Sequence, residues 1–285
     1  MAPSESGVWR FGTKAVGRIG FGAMRLTGRV PFGEGSLEDF DQGIRLLRRA
    51  VDLGVNHFDT AAFYRSSLHG SNEILKAALW PYSDELVIGT KVRSDLQREG
   101  QSLEDQVQEN LRELGRDSLD LVYLRVREGV SIAEDFAALS KMKDIGLIRQ
   151  LGLSGVNTHQ LDEASAICDV VAVQNRYGIG MRRDESVLRA TASRQIAFVP
   201  FFSIAAEGRH KGPPIDESEE VRHVAIAHGV SSAVVRIAWT LSLGPHVLAI
   251  PGTGRVDHLE ENVEAGSLQL NADEALALTR VTPML

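Results

Sequence analysis

Three side chains in the first third of the chain have types and spacing suited to proton transfer: Asp59, Tyr64 and Lys91. A free phenol ionises near pH ~10, too high for easy proton donation at neutral pH. An ammonium beside it favours the phenolate, and a carboxylate keeps that ammonium charged and in place. Such a trio can hand a proton to an oxygen that gains negative charge, as a carbonyl oxygen does when hydride reaches its carbon. Taken singly, each residue has a plainer explanation: a rim ion pair for the Asp and the Lys, amphipathic packing for the Tyr. Only convergence of the three would make a site.

Convergence requires elements that end at one place. Asp59 closes an apolar run opened by Val55 and Phe58, and Lys91 closes Leu86-Val87-Ile88-Gly89-Thr90. Both runs read as buried strands, and in parallel α/β folds chemistry collects at the strands' C-terminal ends. The rest of the chain alternates in the same way. A hairpin is predicted over Val8–Gly12 and Ala15–Gly20, and strands at Leu119–Val126, Ile148–Ser154, Val170–Asn175, Ile196–Phe202 and Val247–Pro251. Helices are predicted at Leu37–Leu53, Ser71–Leu79, Ser102–Leu114, Ser131–Ile145, Thr158–Cys168, Asp184–Ser193, Glu217–His228, Ser231–Leu243 and Val256–Ala265, with an extra one at Asn271–Thr282. The apolar stripe of the first helix is expected at Phe40, Ile44, Leu47 and Val51. About eight strand–helix units at steady spacing predict an α/β fold, a (β/α)8 TIM barrel with an N-terminal β-hairpin and a C-terminal extra helix. No linker-like break appears, so residues 1–285 are expected to form a single domain; an open doubly wound sheet is the alternative. Gly20-Phe21-Gly22-Ala23-Met24-Arg25 narrowly misses a dinucleotide fingerprint, with Arg25 where the third glycine belongs, and reads as a glycine turn at a strand end.

Bulk properties narrow the partners. A formal net charge of −7 argues against nucleic acid and anionic membranes. No apolar run suits a membrane span, and no basic-then-apolar leader opens the chain. The single cysteine, Cys168, excludes an intrachain disulfide and fits a reducing, cytoplasmic setting.

Against this background the stretch Gly54-Val55-Asn56-His57-Phe58-Asp59-Thr60-Ala61-Ala62-Phe63-Tyr64 resembles the aldo-keto reductase signature, and Lys91 in Ile88-Gly89-Thr90-Lys91-Val92 resembles that family's lysine strand. Gly152-Leu153-Ser154, Gln174-Asn175-Arg176-Tyr177 and Ile250-Pro251-Gly252-Thr253 with His258-Leu259-Glu260-Glu261-Asn262 resemble three further family blocks, in order. The resemblance implies a (β/α)8 barrel that reduces small-molecule aldehydes and ketones with NADPH, NADH being possible. It implies three members of a catalytic tetrad at Asp59, Tyr64 and Lys91. The fourth member is usually a histidine, and Arg125 stands there. Arginine cannot relay a proton but can orient a carbonyl and stabilise a developing alkoxide. For the cofactor the resemblance implies Gly22, Ala23 and Met24 at the first strand's end, Ser154 and Gln174 on the nicotinamide carboxamide, and Phe201 (or Phe202) with Ser203 beside the ring. It implies Gly252, Thr253, Arg255, His258, Glu261 and Asn262 around the adenosine half. Gly155 stands where the family has an Asn, with Asn157 the neighbouring amide. The runs Tyr82–Leu86, Leu124-Arg125-Val126, Val173–Tyr177 and Val199–Phe202 further resemble a bacterial subgroup that includes a pyridoxal reductase. The loops expected to shape the substrate pocket, Arg65–Ser71, Arg93–Ser102 and Ala205–Pro214, differ from that subgroup and leave the substrate open. A cofactor-binding barrel with a non-redox or regulatory role is the alternative to a reductase.

Overall fold

The computed structural model describes residues 6–28, 33–95, 100–126, 129–204 and 218–281. The predicted loop Ala205–Pro214, the helix end residues Glu217 and Thr282, and part of Arg93–Ser102 lie outside them.

Two antiparallel strands, β1 (Val8–Phe11) and β2 (Lys14–Gly17), form the N-terminal hairpin. Seven parallel strands follow in chain order: β3 (Phe21–Gly22), β4 (His57–Asp59), β5 (Val87–Arg93), β6 (Leu119–Arg125), β7 (Ile148–Ser154), β8 (Val170–Gln174) and β9 (Ala197–Phe198). Residues 247–249 complete the ring. Val247 bridges Phe198 on one side and Ala249 bridges Ile19 on the other, both parallel, so the predicted (β/α)8 barrel is the fold. The crossover helices are α1 (Leu37–Asp52), α2 (Ser71–Leu79), α3 (Leu103–Leu114), α4 (Ala133–Asp144), α5 (Thr158–Ser165) and α6 (Glu185–Ser193). Two helices, α7 (Glu219–His228) and α8 (Ser232–Ser242), follow β9; α9 (Val256–Glu264) follows the eighth strand position, and α10 (Ala272–Arg280) is the extra helix. Among the described residues no single helix is long and apolar enough to cross a membrane.

Element ends depart from prediction for local reasons. Val55 is not in β4, because the Gly54 turn (φ +88) ties its N–H back to the Ala50 carbonyl of α1 at 2.9 Å. Pro200 has no N–H for the ladder, so β9 is short and Phe201 pairs only as an isolated bridge to Arg176. The face α1 buries is displaced from its predicted stripe. Leu47 is buried as expected, but Gly43, Leu46 and Ala50 join it, leaving Phe40, Ile44 and Val51 at the edge. Gly43 permits that rotation: a Cβ there would lie 2.7 Å from Ile74 of α2.

The core has two main layers. One lies between helices and barrel; the other fills the barrel itself. Phe11 and Val16 of the hairpin plug the barrel floor, packing with Val87 and Leu121. Each such burial contributes roughly 1.5–3 kcal/mol. Above them the Tyr123 ring fills the midsection. It fits because Gly89 and Gly152 flank it; a Cβ at 152 would sit 2.7 Å from the ring.

Candidate active site

Strand register sets the upper rim. Gly22 pairs with Asp59, Arg125 with Ser154, and Ser154 with Gln174. Lys91 lies two residues beyond Gly89, the partner of Asp59, and so faces the same interior. The Lys91 ammonium donates to both Asp59 oxygens, at 2.8 and 2.6 Å, and to the Thr60 carbonyl at 3.0 Å. Its Nζ lies 4.9 Å from the centroid of the Tyr64 ring. Burial alone would push Lys91 down, but Asp59 and then Tyr64 outweigh it and hold the ammonium above its usual value. The lysine is therefore charged at neutral pH, inside the barrel mouth.

A buried polar network keeps this cluster rigid. Thr60 Oγ1 donates to Asn72 at 2.8 Å, Asn72 donates to Asn110 at 3.0 Å, and Thr90, beside Lys91, donates to Asn110. Helices α2 and α3 thus pin the ends of β4 and β5. The short turn from β4 is closed by the Tyr64 N–H on the Ala61 carbonyl (2.9 Å), which presents the phenol to the cavity. On the far side, Arg125 Nη1 donates to Ser154 Oγ at 3.1 Å, with its guanidinium 5.1 Å from the Phe201 ring centroid.

These groups border a cavity of about 1130 Å³. All the predicted catalytic residues line it: Asp59, Tyr64, Lys91 and Arg125. So do Gly22, Met24, Ser154, Gln174, Phe201, Phe202, Ser203, Gly252, Thr253, Arg255, His258, Glu261 and Asn262. Ala23 does not; it is fully buried in the core beneath the 23–25 turn. Asn157 does not either, because it caps α5, accepting from the Gln160 N–H at 2.9 Å.

The lining has features that suit a dinucleotide. Gln174 Nε2 donates to Asp59 at 2.5 Å, which fixes its amide orientation because a carboxylate only accepts. Its Oε1 is then buried with no hydrogen-bond partner among the described residues, an acceptor suited to a donor such as a carboxamide N–H. Gly22 and Gly252 let two backbones touch: a Cβ at Gly252 would lie 2.5 Å from the Gly22 carbonyl, and one at Gly22 2.6 Å from that of Ile250. Phe202 holds φ +62, uncommon for a bulky residue, at the cavity wall. At the outer end Arg255 pairs with Asp257, and Ser231 of the α8 cap donates to Glu261 at 2.9 Å.

Several contributors escaped the sequence reading. Gln42, Gly43 and Leu46 of α1 line the cavity, and Gln42 Nε2 donates to the Gly254 carbonyl at 3.3 Å. Phe63 and Arg93 form the wall nearest Tyr64, with Arg93 held by Asp95 at 2.7 Å. Asn175 is a buried clamp: its Oδ1 accepts from Gly155 N (3.0 Å) and Val156 N (3.1 Å), and its Nδ2 donates to the Val156 carbonyl (2.7 Å). Its place directly after Gln174 was the one available signal. Among the described residues no group of three or more His, Cys, Asp or Glu side chains could hold a metal ion.

Known proteins resemble the chain along its whole length. A family model described as "Aldo/keto reductase family" matches residues 18–282. A pyridoxine 4-dehydrogenase of Escherichia coli (strain K12) is 39% identical over 287 residues, covering 94% of this chain and 96% of that protein. An uncharacterised oxidoreductase of Schizosaccharomyces pombe is 34% identical, covering 95% and 88%. Among solved structures, an aldo-keto reductase from Klebsiella pneumoniae in complex with NADPH superposes with a TM-score of 0.83 at 25% identity, covering 100% of this chain and 97% of that one.

Proposed function

Because the chain belongs to the aldo/keto reductase family, a family of oxidoreductases, we propose that it reduces an aldehyde or ketone to an alcohol with NADPH, Tyr64 giving the proton. One observation carries the reading: a charged lysine, clamped by Asp59, lies 4.9 Å from the Tyr64 ring at the mouth of a large cavity. When bound, reduced nicotinamide would supply the hydride for the carbonyl carbon. Tyr64 gives its proton to the carbonyl oxygen, and the Lys91 field stabilises the phenolate left behind. Gln174 Oε1 and Ser154 would hold the carboxamide. Arg255 with the N–H groups at the start of α9 would face the cofactor's phosphates. Arg125 orients the carbonyl and lowers the cost of charge on its oxygen; it carries no proton.

The test is NADPH oxidation followed at the reduced-nicotinamide band, with pyridoxal first in an aldehyde panel because a relative bears the name pyridoxine 4-dehydrogenase. Tyr64→Phe is expected to lower turnover by about 10²–10⁴-fold with NADPH affinity unchanged. If Tyr64→Phe turns over as fast as the unaltered protein, the reading fails. Arg125 in place of a titratable side chain favours a second reading, a barrel that binds NADPH without reducing carbonyls. Tight NADPH binding with no oxidation across the panel would support that one.

A further inference from the structure

The outer end of the cavity already holds an anion of the chain's own. Arg255 and His258 line that end, on either side of the start of α9. The Arg255 guanidinium directs two donors at Asp257: Nε reaches Oδ1 at 3.0 Å, and Nη2 bonds Oδ2. Asp257 is the second residue of α9 and takes a hydrogen bond from the His258 N–H as well. Arg255 first, and then that N–H, hold its carboxyl well below the usual carboxylate range, so it stays an anion at neutral pH. One side chain therefore engages both Arg255 and an N–H of the first turn of α9, the groups that would meet a coenzyme phosphate. A second carboxylate, Glu261, also lines this end and acts on Arg255. The turn just before leaves room for a ligand: a Cβ at Gly254 would meet nothing within 4 Å.

A carboxylate that grips a guanidinium with both oxygens occupies the same donors a phosphate would take. On the reductase reading above, on which this inference rests, the nicotinamide lies at Gln174, Ser154 and Tyr64. The adenosine half then lies outward, toward Arg255 and His258. NADPH differs from NADH only by the 2′-phosphate of that half. We propose that Asp257 is a resident competitor for the 2′-phosphate, a specificity-determining residue that weakens NADPH, spares NADH and so narrows the gap between the two coenzymes. Arg255 is the binding group, and Asp257 acts through it. The side chains of the pair are 65% and 57% exposed, and exposed ion pairs exchange readily, so the competition is modest.

The test is calorimetric: Kd for NADPH and for NADH at one ionic strength, with the unaltered protein, Asp257→Asn, Arg255→Met and the double variant. Asp257→Asn keeps the size of the side chain and removes its charge. It is expected to tighten NADPH about 3–10-fold and to leave NADH within about twofold. Asp257→Ser, equally neutral, should do the same. In the Arg255→Met background Asp257→Asn should move NADPH by less than about twofold, which a merely structural effect on α9 would not produce. Adenosine 2′,5′-bisphosphate against adenosine 5′-monophosphate should repeat the pattern without the nicotinamide. An unchanged NADPH affinity, an equal gain for both coenzymes, or the same gain without Arg255 overturns the inference, while NADPH oxidation by an aldehyde sustains the reductase reading. The expected shift with no oxidation across the aldehyde panel upholds the inference and overturns the reductase reading alone. Failure of both coenzymes to bind overturns the two together.

Discussion

Two buried aspartates, near opposite ends of the barrel, are neutralised in different ways. Asp120, low on β6, accepts from Lys14 at 3.1 Å, Arg116 at 3.0 Å, Arg149 at 3.5 Å and the Ile88 N–H at 3.1 Å. Its side chain is 2% exposed, but the cations reach water; Arg149 is 54% exposed. Asp59, at the top of β4, has among the described residues a single ammonium, itself 6% exposed, and that ammonium also faces Tyr64. The lower carboxylate is compensated by three cations and a backbone N–H, and it does not line the large cavity. The upper one shares with a phenol its one cation among the described residues and opens onto 1130 Å³ of space. The contrast matches the general division of such barrels into a stabilising floor and a reactive rim.

Three substitutions break or sharpen that contrast. The largest effect is expected from Lys91→Met, which leaves Asp59 without a cation. Turnover should fall by about 10²–10⁴-fold, and urea unfolding should show a loss of about 3–5 kcal/mol. Turnover within threefold of the unaltered protein would erase the distinction between rim and floor.

Next comes His57, on β4 two residues before Asp59 and against the hairpin plug, its ring 5.2 Å from that of Phe11. Neither ring nitrogen has a hydrogen-bond partner among the described residues. Burial, aided by Lys91 and opposed by Asp59, pushes it down to about 4 from an ordinary 6.5. The folded protein therefore keeps His57 neutral where the unfolded chain would protonate it. Its contribution to stability is present above pH 6.5 and is lost as pH falls toward 4, by roughly 3 kcal/mol. His57→Leu should remove that part of the slope; parallel losses in both proteins across this interval would exclude His57 as its source.

The smallest effect is expected from Asp120→Asn: about 2–3 kcal/mol of stability, discounted because its partners are partly solvated. The kcat/KM of the folded variant should remain within about threefold. A kinetic loss as large as that of Lys91→Met would show that the two ends are not separable.

Much of the rim was legible in the sequence. Strands announce their ends, and side chains two apart share a face, so Asp59, Lys91, Arg125, Ser154 and Gln174 could be gathered before any coordinates. What stayed hidden depends on facts with no local trace. The rotation of α1 that brings Leu46 to the cavity follows from Gly43 seating against Ile74. Ala23 follows the right glycine but turns into the core. Asn175 acts through a turn nineteen and twenty residues earlier in the chain. Arg125 and Gly155, two departures from the family pattern that read in one dimension as unrelated, meet in space: a Cβ at residue 155 would lie 3.1 Å from Arg125 Nη1.

The residues that complete the ring run straight into those that line the outer cavity. Ala249 accepts from the Gly20 N–H at 2.8 Å and Pro251 from the Gly22 N–H at 3.3 Å, and the next residues are Gly252, Thr253 and Arg255. On the reading proposed here, coenzyme capture and the last staves of the barrel are one mechanical part. Loading the coenzyme would latch the wall shut, adding about 2.7 kcal/mol at a hundredfold excess over Kd. Amide hydrogen exchange should slow first at Gly20, Gly22 and Ala249, at the join rather than around the whole circumference.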